Sequence, residues 1–179
     1  MILSKLCLNI TDGTHNTVID DPNGSYYLLS CKNIKNGSII ITKNERKINK
    51  TVFLKLNKRT KLTFNDILIT TVGTIGQLAI IKDKEIKYEF QRSVGIIKVN
   101  PNIMLPKYVY YYLNSNDAQF QISSYVKGAV QKCLFLNDIG KIDIFEKSFV
   151  EQQHIVDIVR TINLILISLL PYLLILYFF

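Results

Sequence analysis

Apolar and polar residues alternate in blocks through the middle of the chain, over residues 66–99. Apolar β-forming residues fill the runs 67–72, 78–81 and 94–99. Such runs are typical of strands that are buried on at least one face. Gly73 and Gly76 bound a tight turn between the first two runs, since glycine accepts a positive φ. The pattern predicts a hairpin, a charged loop, and a third strand after residues 91–93.

The first third of the chain reads as short strands separated by turns. Turn residues cluster at 12–13, 21–24 and 33–37, and apolar runs over 26–30 and 39–42 predict strands. The segment 51–56 is compatible with either an extended or a weakly helical conformation. This part of the chain is therefore predicted to be rich in β-structure, with polar and basic loops.

Helices are predicted in the second half of the chain. Pro106 suits the first turn of a helix over 107–115, and a second helix follows at about 117–126. Ser148 with Glu151 three residues later forms a capping box, which predicts the start of a third helix. The apolar positions of that helix fall at helical spacing. They are Ile155, Ile158, Val159, Ile162, Ile165 and Leu166.

These elements predict an α+β fold. Residues 1–147 would form a β-rich domain with short helices, and residues 148–179 a C-terminal α-helix with an apolar tail. Three explanations of the tail stay open. The first is a membrane anchor formed by residues 162–179, and the second is a packing helix whose partner lies elsewhere. The third is a truncated or frame-shifted end. The anchor would be short, because a bilayer needs about 20 apolar residues.

The net charge favours an anionic partner. Lysine and arginine outnumber aspartate and glutamate by 22 to 14, and the excess is concentrated between residues 43 and 61, where Glu45 is the single acid. A cluster of this kind can neutralise phosphates, although a solvated lysine-rich face would look the same. We call it the basic segment. Its cations are Lys43, Arg46, Lys47, Lys50, Lys55, Lys58, Arg59 and Lys61.

Two polar loops carry groups that can recognise DNA bases. Residues 14–16 offer a hydroxyl, an imidazole and an amide directly after an Asp-Gly turn. Residues 127–132 offer two lysines and a glutamine, and glutamine can read adenine through two hydrogen bonds in the major groove. The first segment could equally be a plain surface turn, and the second is a weak signal when taken alone.

Several classes of chemistry lack their motifs. The three cysteines and two histidines are widely spaced, which argues against a disulfide framework and a zinc site and fits a reducing cytoplasm. No glycine-rich cofactor loop and no Gly-x-Ser-x-Gly motif is present, so neither cofactor nor metal is expected. One enzymatic alternative is a magnesium-dependent nuclease that uses Asp66, Glu85 and Lys87, which fit a loose Asp…Glu-x-Lys pattern.

Nine short segments together resemble the specificity subunits of type I restriction–modification systems. They are DGTH (12–15), LSCKNIKNG (29–37), DILIT (66–70), GTIG (73–76), QRSV (91–94), YYLNS (111–115), GAVQ (128–131), LNDI (136–139) and EQQHIV (151–156). The resemblance implies a target-recognition domain, an α+β module with a β-rich core that is followed by the start of a long helix. In that family two such domains, joined by antiparallel helices, each read half of a split DNA site, and the subunit itself is not catalytic.

The resemblance therefore implies sequence-specific binding of double-stranded DNA by a half-subunit or truncated form. The implied partners are a methyltransferase subunit, a restriction subunit, and a second recognition domain or a second copy bound through the C-terminal helix. The residues expected to contact DNA are Thr14, His15, Asn16, Lys43, Arg46, Lys47, Lys50, Lys58, Arg59, Thr74, Gln91, Arg92, Ser93, Lys127, Gln131 and Lys132. A membrane-tethered basic protein and a non-functional gene remnant remain as alternatives. No residue pattern specifies the DNA sequence recognised.

Overall fold

A computed structural model describes the chain over residues 1–177, and its side chains as far as residue 169. The helices are α1 (Leu3–Leu6), α2 (Lys50–Thr60), α3 (Pro106–Leu113), α4 (Asn116–Tyr125), α5 (Leu136–Ile139) and α6 (Phe149–Tyr177). The strands are β1 (Cys7–Asp12), β2 (Tyr26–Leu29), β3 (Ile34–Lys35), β4 (Ser38–Ile39), β5 (Lys47–Ile48), β6 (Ile67–Thr70), β7 (Leu78–Ile80), β8 (Tyr88–Phe90) and β9 (Val94–Val99). The predicted α+β class is confirmed.

A four-stranded antiparallel sheet with the order β1-β9-β6-β7 forms the centre of the molecule. The predicted hairpin is its β6–β7 half, where Ile67 pairs with Ile80. The predicted third strand, β9, lies on the other side of β6, and the N-terminal strand β1 completes the sheet along β9. The first and middle thirds of the chain therefore share one sheet.

A second sheet has the order β5-β2-β8, and β3 and β4 form a separate small hairpin. Strand β8 runs parallel to β2, with Tyr27 opposite Tyr88. The sequence patterns did not predict this strand, because Glu89 stands between its two aromatic residues and charged residues precede it. Its pairing with β2 is a long-range contact, and local patterns do not report such contacts.

The central sheet is buried on both faces. Ile67, Ile69 and Ile97 point towards the helices, where they join the larger hydrophobic cluster. Leu68 and Ile96 are direct neighbours of these residues along their strands, and they belong to the cluster beneath β2 and β8. This alternation follows the two-residue period of a strand, and it explains why both faces of the sheet carry aliphatic side chains.

The segment 51–56, left open between an extended and a helical conformation, lies within helix α2. Asn49 caps the start of this helix, because its side-chain oxygen accepts a 3.0 Å hydrogen bond from the backbone N–H of Val52. Phe53 is buried beneath the helix and stacks on Tyr26 of the second sheet, with ring centroids 4.3 Å apart. Tertiary packing of this kind decides the structure of a segment with weak propensity.

Helix α6 begins at the predicted capping box. The backbone N–H and the hydroxyl of Ser148 donate to the carboxylate of Glu151, and these bonds lower the pKa of Glu151 to about 2. Gln152 is buried and accepts a 2.8 Å bond from the backbone N–H of Leu105, so the helix starts against the rest of the fold. Among the described residues, no helix combines the length and hydropathy needed to cross a bilayer. Residues 178 and 179 of the suggested anchor lie outside the described range.

Candidate nucleic-acid interface

Two of the predicted polar segments, residues 14–16 and 91–93, lie side by side. The backbone N–H of Thr14 donates to the carbonyl of Phe90 at 2.7 Å, and the N–H of Arg92 donates to the carbonyl of Thr14 at 3.0 Å. Gly13 makes this approach possible, since a Cβ there would lie 2.1 Å from the same Phe90 oxygen. The loop and the turn are therefore held together by their main chains, which leaves side chains available for other contacts.

A third segment, the hairpin of residues 127–133, is joined to the same place through the end of β6. The carbonyl of Thr71 accepts a 2.9 Å bond from the N–H of Leu134, which directly follows the hairpin. The N–H of Thr71 donates to the carbonyl of Ser93, and its hydroxyl donates to the carbonyl of Arg92. Thr71 thus connects the hairpin to the turn. We call the three segments together the polar face.

The polar face contains two clefts that share a common wall. The first, of about 420 Å³, is lined in part by Ser93 and Gln131, and the second, of about 370 Å³, by Asn16 and Arg46. Three residues line both clefts, namely His15, Gln91 and Arg92. Arg92 is exposed, so its guanidinium is accessible from solvent at the centre of the face.

The tip of the first loop is held by Asp12, which the sequence patterns identified only as a turn residue and as part of a family segment. Nε2 of His15 lies 2.6 Å from Oδ2 of Asp12. The guanidinium of Arg59 donates to Oδ1 of the same carboxylate, to the hydroxyl of Thr11, and to the carbonyl oxygens of Asp12 and Gly13. Arg59 therefore already has four acceptors within the chain.

Two residues connect the basic segment to the polar face. Arg59 does so through the loop contacts above, and Arg46 lines the second cleft while pairing with Asp20 at 2.6 Å. The side chains of Lys43, Lys50 and Lys58 are exposed, and that of Lys47 is half-buried. The structure brings some of the predicted phosphate-binding residues to the face and leaves the other lysines on nearby elements.

The remaining predicted residues differ in how available their side chains are. Thr14 is buried, and its hydroxyl accepts a bond from the N–H of Asn16, so it shapes the loop. Lys127 pairs with Asp138 at 3.0 Å, and hydrogen bonds from Lys141 and from Lys127 lower the pKa of the Asp138 carboxyl. Thr74 is exposed in the glycine turn, and its carbonyl accepts a bond from the hydroxyl of Thr70.

The three residues of the nuclease alternative do not form a metal site. Asp66 is buried, and its carboxylate accepts bonds from the N–H and hydroxyl of Thr63 and from the ammonium of Lys98. Glu85 is exposed and pairs with Lys87 at 3.2 Å. Within the described part of the chain, no three histidine, cysteine, aspartate or glutamate residues are grouped so that they could hold a metal ion. Asp66 therefore stabilises the entry into β6.

A buried carboxylate that the sequence patterns also missed lies beneath helix α2. Glu89 is fully buried, and its Oε1 accepts bonds from Asn57 at 2.8 Å and from Thr60 at 2.7 Å. Its Oε2 has no partner within the described range. Burial raises the pKa of Glu89. The sequence signal that could have identified this buried carboxylate is its position between two aromatic residues, which form a short buried strand with it.

Comparison with known proteins supports the resemblance. The chain is 31% identical over 137 residues to the type I restriction enzyme EcoBI specificity subunit of Escherichia coli, a match that covers 76% of this chain and 28% of that protein. No protein-family model matches the chain.

Two crystal structures share the fold. One is the S subunit of a type I restriction–modification system from M. genitalium, with a TM-score of 0.63 at 16% identity, covering 96% of this chain and 40% of that chain. The other is the HsdS subunit from Thermoanaerobacter tengcongensis, with a TM-score of 0.65 at 16% identity, covering 94% of this chain and 43% of that chain. The chain is therefore a relative of the specificity subunits of type I restriction–modification systems, and it spans less than half the length of those it matches.

Proposed function

We propose that this chain recognises a specific sequence in double-stranded DNA and so determines the target of a type I restriction–modification complex, without being catalytic itself. The observation that carries the proposal is the meeting of three polar segments, far apart in the sequence, on one face. The match to a specificity subunit supports the same role. A role of this kind implies a cytoplasmic protein, and all three cysteines are free thiols.

The polar face offers groups of the types that read base edges. An arginine can bind guanine through two hydrogen bonds, and a glutamine can bind adenine in the same way. Arg92 and Gln91 line both clefts and Gln131 lines one, so these three are the residues we propose for base reading. His15, Asn16, Thr74 and Ser93 complete the proposed contacts, with Thr14 at the base of the first loop.

The basic segment is proposed to hold the DNA backbone. Phosphate contacts position a protein on the duplex without specifying sequence. Arg46 borders the second cleft together with Gln91 and Arg92, so this cation lies beside two of the proposed base-reading groups. The other proposed phosphate contacts are Lys43, Lys47, Lys50, Lys58, Lys127 and Lys132, whereas Arg59 is engaged with the first loop.

The proposed partners are a methyltransferase subunit, a restriction subunit, and either a second recognition domain or a second copy of the chain. The division into a recognition domain (1–147) and a helical segment (148–179) belongs to this proposal. Helix α6 supports it, because several large apolar side chains on its described part are exposed. Such a surface is typical of a helix that packs against another helix.

The first test measures DNA recognition directly. The chain is co-expressed with the methyltransferase subunit of its own system, and methylome sequencing of the host gives the modified sequence. We expect Arg92→Ala to relax discrimination at one base position by about 1–3 kcal/mol, and Gln131→Ala to act at another position. Lys50→Ala should instead weaken binding to all duplexes equally. It should also reduce the slope of log affinity against log salt concentration by about one. Fluorescence anisotropy of the purified complex at fixed salt measures both effects.

The control is Lys107→Ala, which removes an exposed cation on α3, at the cleft that borders α6. It should leave both affinity and discrimination unchanged. If Arg92→Ala and Gln131→Ala leave binding to every sequence as it was, the proposed base-reading face is wrong. If deletion of the gene leaves the host methylome unchanged, the proposed function itself is wrong.

A further inference from the structure

The hairpin of residues 127–133 presents a defined tip. Lys127 and Cys133 exchange two backbone hydrogen bonds, of 3.0 and 2.8 Å, which close the loop at its base. Gly128 has a φ of +112°, and a Cβ at this position would lie 2.2 Å from the carbonyl oxygen of Gln131. The glycine therefore allows the tip to fold tightly, and the five residues between the closing pair are held in a compact turn.

Val130 lies at this tip with its side chain fully exposed. Its relative exposure is 103%, the highest among the exposed large apolar residues of the described chain, where Ile19 follows at 84%. Single exposed apolar residues are common on protein surfaces and need no explanation by themselves. This valine differs because it stands on a closed turn of the polar face, where an apolar group is least expected.

The neighbours of Val130 fit a DNA groove. Lys127 pairs with Asp138 at the base of the hairpin, and the exposed side chains at the tip are Ala129, Val130, Gln131 and Lys132. The amide of Gln131 suits a base edge and the ammonium of Lys132 suits a phosphate. An apolar group between them has one specific partner in the major groove, the C5 methyl group of thymine.

We infer that Val130 is a specificity residue whose side chain contacts the methyl group of a thymine in the recognised sequence. A β-branched side chain is stiff at χ1, so its methyl groups are held in place before DNA binds. The inference rests on the proposed function and adds to it the chemical class of base that the hairpin reads. It also predicts that the recognised half-site contains at least one thymine whose methyl group affects affinity.

The experiment uses the complex of the chain with its methyltransferase subunit, and a duplex that carries the methylated sequence found by methylome sequencing. Each thymine is replaced in turn by deoxyuridine, which removes the methyl group and keeps the hydrogen-bonding pattern. We expect one such replacement to weaken binding by the wild-type complex about fourfold, the effect of one buried methyl group. In Val130→Ala the same replacement should change binding by less than about twofold, since the partner of the methyl group is gone.

Val150→Ala is the matched control, because Val150 is a second highly exposed valine, located on α6. It should keep the full deoxyuridine effect, and circular dichroism should show that both variants fold. If the wild-type complex binds specifically and Val130→Ala retains the same deoxyuridine effects at every position, the inference is overturned while the proposed function stands. If the wild-type complex shows no sequence preference, both fail.

Discussion

Among single residues, Glu89 stands out as a carboxyl group that is fully buried. Its carboxyl is buried between β8 and α2, and one oxygen has two donors while the other has no partner in the described part of the molecule. Burial favours the neutral form of such a group and raises its pKa. Between the ordinary carboxyl pKa and the raised value, the folded chain therefore holds a proton that the unfolded chain has released.

This uptake of a proton gives the stability a definite dependence on pH. Where the folded state binds more protons than the unfolded state, the free energy of unfolding falls as the pH rises. We expect the contribution of Glu89 to the stability to decline with rising pH, from about 4.5 up to its raised pKa. Glu89→Gln should remove this decline and be at least as stable as the wild type at neutral pH. Urea unfolding at a series of pH values measures both expectations.

Glu85→Gln is the control, since it removes an exposed carboxylate from the loop before the same strand. Its stability should follow the wild-type pH profile. Identical pH profiles for Glu89→Gln and the wild type would show that Glu89 carries its charge in the folded protein.

At the scale of elements, Arg59 connects helix α2 to the end of β1. Its guanidinium bridges one side chain and two backbone carbonyls of residues 11–13 and also approaches the carboxylate of Asp12. A planar guanidinium can serve several acceptors at once, whereas a lysine ammonium is a compact point charge. The geometry therefore favours a positioning role for Arg59 over the phosphate contact expected from sequence.

Substitution by lysine separates these two roles. If Arg59 positions the loop, Arg59→Lys and Arg59→Ala should both weaken DNA binding, by roughly tenfold, since a lysine cannot serve the same set of acceptors. Neither substitution should change the slope of affinity against salt concentration. Lys58→Ala, on the same helix, should reduce the slope of log affinity against log salt concentration by about one. Wild-type affinity in Arg59→Lys would instead support a direct phosphate contact.

At the scale of the whole molecule, helix α6 carries an apolar seam that the rest of the described chain does not cover. Ile158, Ile162, Ile165 and Leu169 are 45–51% exposed. They follow one another at intervals of four, three and four residues, which is the spacing of the a and d positions of a coiled coil. Leu166 and Ile167 lie on a different side of the helix, at the large cleft formed with the β7 edge. The described part of the helix therefore carries apolar residues both at this cleft and along the seam.

The seam predicts self-association through α6. The double substitution of Ile162 and Ile165 by glutamate should convert a dimer into a monomer, because it buries two unpaired charges in the seam. Leu164→Glu is the matched control, since it introduces the same charge at an exposed apolar position on another side of the helix. Sedimentation velocity at micromolar concentration distinguishes the two states. A wild-type chain that stays monomeric at all concentrations would exclude the second copy as the partner.

Much of the fold could be predicted from local patterns. The strands β6, β7 and β9, helices α3 and α4, and the start of α6 all carry clear periodicity or capping signals, and all lie close to the predicted positions. Helix α2 was undecided and β8 was missed. Both depend on packing against the second sheet, and this contact between distant segments leaves only a weak local signal.

The candidate site could be predicted in part. The loops that carry His15, Arg92 and Gln131 were found from their polar residues and from the family resemblance, and the structure brings them to one face. The contacts of Asp12 with His15 and Arg59 were not predicted, and Glu89 was missed, because an acidic residue in a basic protein does not suggest DNA binding. The positioning role of Arg59 was missed as well, since a cation in a basic segment looks the same whether it binds a phosphate or a carbonyl.

The surface composition, the buried strands, the helix starts and the family resemblance can all be inferred from the amino-acid sequence. These follow from residue type and short-range spacing, which act before the chain folds. Which polar groups are available for a partner depends instead on the folded chain. The tertiary structure places residues 14–16, 91–93 and 127–133 together, and it engages Arg59 and Lys127 with other parts of the chain. Availability depends on contacts between residues far apart in sequence, and only the folded chain makes those contacts.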